Sequence, residues 1–178
     1  GQDWSLTLGQ GNGRYIQQTQ DNGYVIIGNN GNADAFMIKI NEEGSEVWNN
    51  SYDISGSPAF GMSGQQTQDG GYVIIGFTEG NAWLIKTDSL GSQEWQQFYG
   101  SSSDDIGLSI LQTTDNGYIF SGIYDDDTNR SIKNKIIISS RNTFLCAIIG
   151  STNISNNLRL QITSRTPCNN RGINIVRS

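Results

Sequence analysis

Asp125-Asp126-Asp127, followed by Thr128 and Asn129, is the densest run of hard oxygen donors in the chain. Calcium takes about six to eight such oxygens, so a weak calcium site is the metal chemistry the run could supply. It lacks the D-x-D-x-D-G spacing of a calcium loop, and it reads more simply as a solvated loop between two strands. Asp104-Asp105 reads the same way. Histidine is absent, which removes the commonest acid/base group and the commonest transition-metal ligand and makes a Ser-His-Asp triad impossible. Cys146 and Cys168 could pair in an oxidising compartment. Asn49-Asn50-Ser51, Asn129-Arg130-Ser131 and Asn153-Ile154-Ser155 match the N-glycosylation pattern, a common match in an Asn-rich chain. Nothing assembles a nucleophile with its base, so no catalytic residue and no cofactor beyond calcium is expected.

Charge narrows the partners. The net charge of −6 argues against nucleic acid, which needs clustered Lys and Arg. The average conceals a break near Thr128. Residues 1–127 hold all 17 acidic residues and only three basic ones, Arg14, Lys39 and Lys86, whereas residues 128–178 hold eight basic residues and no acid. The same boundary separates every Trp and Tyr from a stretch with neither. No run of apolar residues is long enough to span a membrane.

The elements that must position any site come from a repeat. QQTQDNGYVIIG at 17–28 returns as QQTQDGGYVIIG at 65–76 and as LQTTDNGYIFSG at 111–122, at spacings of 48 and 46. A period of this size marks architectures whose units cannot bury their apolar faces alone. The second copy divides at its turn signals into FGMSGQQTQ, YVIIGFT, AWLIKTD and QEWQQFYG. Asp69-Gly70-Gly71 and Gly91 can take the positive φ of tight turns, and no segment shows a helical period. Each repeat is expected to be a four-stranded antiparallel meander. Gly13, Gly61 and Gly107 fall at one repeat position near the start of the first strand, where close backbone approach favours the smallest residue. AFMIKINEEGSEVW at 35–48 matches AWLIKTDSLGSQEW at 82–95, so Lys39 and Lys86 also share a position and read as structural. Trp48 and Trp95 lie 47 apart, and Trp4 precedes Trp48 by 44, which makes GQDWSLTLG an orphaned fourth strand.

The QQTxDGGYxIxG and IKxDxxGxxxW pair resembles a repeat common in secreted and surface proteins of bacteria and archaea. The order of strands is also similar to kelch blades, and IKTDSLGSQEW resembles the tryptophan-docking repeat of quinoprotein propellers. The resemblance implies an all-β, β-propeller-like array of four-stranded blades, incomplete at about three to four blades. It implies a first strand beside a central channel and a Trp-bearing strand at the rim, with Trp48 and Trp95 packing between neighbouring blades. The expected organisation is an orphan strand at 1–9, blades at 10–53 and 57–100, a partial blade at 104–127 and a divergent basic tail at 128–178. Fold alone does not set activity. The expected function is a non-catalytic extracellular, cell-surface or periplasmic module that binds a glycan or a protein. The alternative is a piece of a larger propeller enzyme such as a quinoprotein-like oxidoreductase.

The tail departs from the pattern. A third AWLIKTD strand should begin around Thr128 with a Trp near residue 141, yet the chain reads TNRSIKNKIIISSRNTFLCAIIG. Two explanations compete: an atypical terminal segment, or a translation in the wrong reading frame that abolishes motif, acidity and aromatics together. IIIS at 136–139 and LCAII at 145–149 can form strands by composition, with a register that unmatched turns specify weakly. Gly1 is not a start methionine, so the chain is expected to be a processed product or a fragment. At a repeat of about 47 residues the chain makes fewer than the roughly four to eight blades that close a ring, so it is expected to be a truncated arc of a longer propeller, or else to close by association with copies of itself.

Overall fold

In the computed structural model every named element is a β-strand. The structure describes Ser5, Thr7 and residues 10–54, 56–100, 105–124, 133–140 and 143–149, with Tyr124 and the last two runs described by backbone alone. β1 (Gly11–Gln18), β2 (Tyr24–Asn30), β3 (Ala35–Ile40) and β4 (Glu46–Tyr52) form the first sheet, in that order. β5 (Ala59–Gln66), β6 (Tyr72–Thr78), β7 (Asn81–Thr87) and β8 (Gln93–Tyr99) repeat the meander. β9 (Ile106–Gln112) and β10 (Tyr118–Tyr124) begin a third, which the backbones of β11 (Lys133–Ser140) and β12 (Thr143–Ile149) continue by antiparallel pairing. The expected all-β architecture of antiparallel four-stranded meanders is what the first two repeats adopt. Among the described residues the sheets stack in series and do not close a ring.

The turns explain why the repeat is so strict. At each first hairpin a threonine amide donates to a glycine carbonyl, Thr19 to Gly23 at 2.9 Å, Thr67 to Gly71 at 2.8 Å and Thr113 to Gly117 at 2.9 Å. The residue before that glycine takes positive φ, 63° at Asn22, 83° at Gly70 and 61° at Asn116. Only Gly, Asn and Asp enter that region readily. The aspartate of the motif locks the turn from inside: Asp21 Oδ1 accepts from Thr19 Oγ1 at 2.5 Å and from the Gly23 amide at 3.2 Å.

Alternation along the strands gives each sheet two apolar faces. The forward face of the first sheet, Val25, Ile27, Ala35 and Met37, meets the rear face of the second, Tyr72, Ile74, Trp83 and Ile85. The forward face of the second, Val73, Ile75 and Leu84, meets Ile110, Tyr118 and Phe120 of the third. Gly61 and Gly107 lie at these junctions. A Cβ on Gly61 would meet Ile27 Cγ2 at 2.7 Å, and one on Gly107 would overlap the Ile75 side chain. Among the described residues no sheet precedes Gly13, and a Cβ there would find its nearest described neighbour, Ile26 Cγ2, 3.8 Å away.

Polar clasps fasten the same junctions. Gln17 Oε1 accepts from the Gln66 amide at 2.9 Å while Gln66 Oε1 accepts from the Gln20 amide at 2.9 Å. The next junction repeats the exchange, Gln65 Oε1 with the Gln112 amide at 2.8 Å and Gln112 Oε1 with the Gln68 amide at 2.8 Å. At the opposite end, Ala59 N donates to Ala33 O at 2.8 Å and Asp105 N to Gly80 O at 3.1 Å. Outer strands add aromatic edges: Trp48 meets Tyr72 at 5.5 Å and Trp95 meets Tyr118 at 5.8 Å, both T-shaped. Tyr52 OH donates to Gly91 O at 2.8 Å across the first junction.

Candidate functional site

The recurring charged groups are the first place to look for chemistry, and they are bound into the scaffold. Lys39, 4 % exposed, reaches Asp21 Oδ2 at 2.9 Å and the Ile40 carbonyl at 2.9 Å. Lys86, 2 % exposed, contacts Asp69 at 3.1 Å, Glu94 at 3.2 Å and the Thr87 carbonyl at 2.7 Å. A buried ammonium needs such partners. The motif glycine makes room for it, because a Cβ on Gly23 would overlap Lys39 Nζ and the Ile40 carbonyl, and one on Gly71 would lie 2.5 Å from Lys86 Nζ. In the third sheet the position that Lys39 and Lys86 hold opposite Val25 and Val73 falls, opposite Ile119, to Ile138.

These contacts hold the motif carboxylates in their charged form. The Thr19 hydroxyl, then Lys39, lowers Asp21 to about 2. For Asp69 burial pushes upward, but Thr67, Lys86 and the Gly71 amide outweigh it and the carboxyl is lowered. Asp115 is lowered by Thr113 and the Gly117 amide. A carboxylate with depressed folded pKa contributes stability above its unfolded pKa of about 4 and loses it as pH falls through the folded value. Stability is therefore expected to decline as pH drops from about 4 toward about 2 and to decline less steeply in Asp21→Asn, as urea unfolding along that range will show. At neutral pH Asp21→Ala is expected to cost about 1–2 kcal/mol, because Lys39 loses its counter-ion while the exposed outer side of the pair lets water compensate. Asp115→Ala should cost less, having no lysine at the matching register position. Tyr72 is pushed up to about 12, mainly by burial, and burial likewise raises Tyr52, so both phenols remain neutral.

The repeat breaks at the other end of the sheets. One cross-strand position carries Asn12 and Asn29 in the first sheet, Phe60 and Phe77 in the second, and Ile106 and Ile123 in the third. Phe60 and Phe77 stack at 4.8 Å with 17° between their planes, and both are half-buried. Arg14, exposed at the bulge of β1, donates from Nε to Asn29 Oδ1 at 3.3 Å. The β2–β3 loop is set by Asn30, whose Oδ1 accepts from the Asn32 and Asp34 amides at 2.9 and 3.0 Å and whose Nδ2 donates to Asp34 Oδ2 at 3.0 Å. The corresponding β6–β7 turn is shorter, so this end differs from sheet to sheet in length as well as chemistry. Thr78 Oγ1, at the last position of β6, is buried with no hydrogen-bond partner among the described residues.

No family model matches the chain, and no curated protein matches it either.

The structure places the residues singled out by sequence in different roles. Trp48, Trp95, Gly61 and Gly107 stand at junctions between sheets, while Gly13 faces away from the stack. Asp125, Asp126 and Asp127 lie outside the described residues, as do Cys168 and the sequons at 129 and 153. Most of the expected strand at 1–9 also does. Cys146 is on β12, paired in register with Ile137. Asn49 is exposed on β4. Among the described residues no group of three or more His, Cys, Asp or Glu is arranged to hold a metal ion, and no helix is long and apolar enough to cross a membrane. The Phe60–Phe77 stack and the Arg14–Asn29 pair are not apparent in the repeat pattern itself. Their signal is the reverse of repetition: one position that changes chemical class in every copy.

Proposed function

We propose that this protein is a non-catalytic, propeller-like binding module that works outside the cell or at its surface, and that its ligand is a glycan held at the β2–β3 end of the sheets. The observation that carries the reading is the division of labour along each sheet. The charged and amide groups that recur at the clasp end are committed to turns, ion pairs and clasps, whereas the opposite end varies and carries a stacked, half-buried aromatic pair on the second sheet and an exposed arginine bonded to an asparagine on the first. A sugar ring offers an apolar face that suits an aromatic surface and hydroxyls that suit Arg and Asn donors and acceptors. A set of four-stranded sheets clasped in series supplies the rigid support that such a site needs.

Glycan-array binding of the full chain, followed by titration calorimetry on the best hit, is the test. Phe77→Ala is expected to weaken binding at least about tenfold, the order expected for losing an aromatic contact of about 1.4 kcal/mol. Trp95→Ala, at a junction remote from that end, should leave affinity unchanged. Absence of any glycan binding with capture of a protein ligand would move the reading to protein recognition. Quinone absorbance and dye-reducing activity after reconstitution with a quinone cofactor and calcium would replace it with the oxidoreductase reading.

A further inference from the structure

Each junction between sheets is fastened by a two-way exchange of glutamine side chains, and the two ends of the stack keep opposite halves of one such bond. Gln18, Gln66 and Gln112 share a repeat position, as do Gln20, Gln68 and Thr114. Gln66 and Gln112 accept from the Gln20 and Gln68 amides of the sheet before. That leaves an acceptor, Gln18 Oε1, on the first sheet and a donor, the Thr114 amide, on the third, neither with a partner among the described residues. Gln18 is already turned as Gln66 is: its Nε2 donates to the Asn22 carbonyl at 3.4 Å, and that of Gln66 to the Gly70 carbonyl at 3.4 Å. Gln18 and Thr114 are both exposed.

Apolar side chains are exposed at the same two places. Ile16 on β1 is 59 % exposed, although its counterpart Ile110 is 3 % exposed against the second sheet. Leu111 on β9 is 60 % exposed and stands where Gln17 and Gln65 accept from the amide of the following sheet. The neighbouring sizes are complementary as well. At the first junction Ile27 is the large residue, and a Cβ on Gly64 would overlap its Cδ1. At the ends the bulk is on the other side: Ile16 holds the position of Gly64, and Ser121, exposed, holds that of Ile27.

We propose that two copies of this chain join head to tail, the third sheet of one receiving the first sheet of the other along their inner strands, β9 and β1. The Thr114 amide donates to the partner's Gln18 Oε1, Leu111 packs against the partner's Ile16, and Ser121 leaves the room that Ile16 fills. Phe36, Ile38 and Ile40, on the outer strands of the first sheet, are already buried, so the contact belongs to the inner strands. The occupant is a second copy because the donor, the apolar side chain and the small residue at one end find their complements at the other end, in the pattern of the internal junctions. An interface between unlike surfaces either closes into a ring or runs on without limit. Two copies place six sheets in series, within the roughly four to eight that close a ring, so association stops at two.

Sedimentation velocity of the full chain across a dilution series tests the proposal. The wild type is expected at the mass of two chains. Ile16→Lys and Leu111→Glu, both at exposed positions, are each expected at the mass of one chain with an unchanged circular dichroism spectrum. An equimolar mixture of the two variants is expected to return to two chains, because one junction then gains a Lys–Glu pair while the other keeps both native residues. A monomeric wild type, an open-ended series of sizes, a dimer that both variants leave intact, or a mixture that stays monomeric would overturn it.

Discussion

Trp83→Ala is expected to lower the unfolding free energy by about 3–5 kcal/mol, the range for removing a buried large aromatic side chain. Trp83 is 1 % exposed and packs at the centre of the first junction among Ile27, Met37, Ile74 and Ile85. Its indole Nε1 donates to Gln96 Oε1 at 3.0 Å, a bond whose loss adds little because Gln96 is exposed and water can take the indole's place. A domain of ordinary stability has only about 5–15 kcal/mol to lose. Trp95→Ala should cost much less, since Trp95 is 39 % exposed and its principal contact is the edge of Tyr118. Urea unfolding of the two variants, followed by far-ultraviolet circular dichroism, gives the comparison; equal losses would mean that Trp83 is not at a sheet junction.

Gly76→Ala is expected to be nearly as damaging, at about 3 kcal/mol, the upper part of the overpacking range. A Cβ there would overlap the carbonyl oxygen of Phe60 and approach its carbonyl carbon at 2.8 Å. Both atoms are backbone, held beside the bulge between Gly61 and Ser63, and cannot rotate away. Gly28 and Gly122 meet the Asn12 and Ile106 carbonyls in the same manner. Gly13→Ala provides the contrast, with the added methyl at ordinary contact distance from Ile26 and an expected change within about 0.5 kcal/mol. Thermal melts of the two variants will separate them, and a Gly76→Ala protein as stable as Gly13→Ala would show that β5 and β6 do not approach as described.

These glycines divide what the repeat's local chemistry reveals from what only the packing of sheets explains. Meander, turn positions and apolar strands are legible because local chemistry enforces them: positive φ selects Asn22, Gly70 and Asn116, and the β-branched and aromatic runs of β2 and β6 select strands. The final glycine of GYVIIG recurs as plainly as Gly13, Gly61 and Gly107, but its reason is a bulge in the neighbouring strand, which no local pattern reveals. The paired glutamines are similar. Their recurrence was visible at 17, 65 and 66, yet their role appears only once a second sheet brings an unpaired amide within reach of the side chain. Lys39 and Lys86 were read as structural, and the burial that makes them so depends on the space left at Gly23 and Gly71. The variable end was the least legible, since Phe60 and Phe77 are 17 residues apart in the chain and become neighbours only through strand register.

The proposed binding and the stability both rest on the sheets being clasped in series into one scaffold. Residue-resolved amide hydrogen exchange on the full chain tests this most directly, because the Gln66 and Gln112 amides have their partners on the preceding sheet. Both amides are expected to exchange as slowly as those at the centres of β6 and β7, and Gln17→Leu should release Gln66 while leaving Gln112 protected. Exchange of both amides at the rate of an open loop, or no selective loss in Gln17→Leu, would contradict the stacked arrangement.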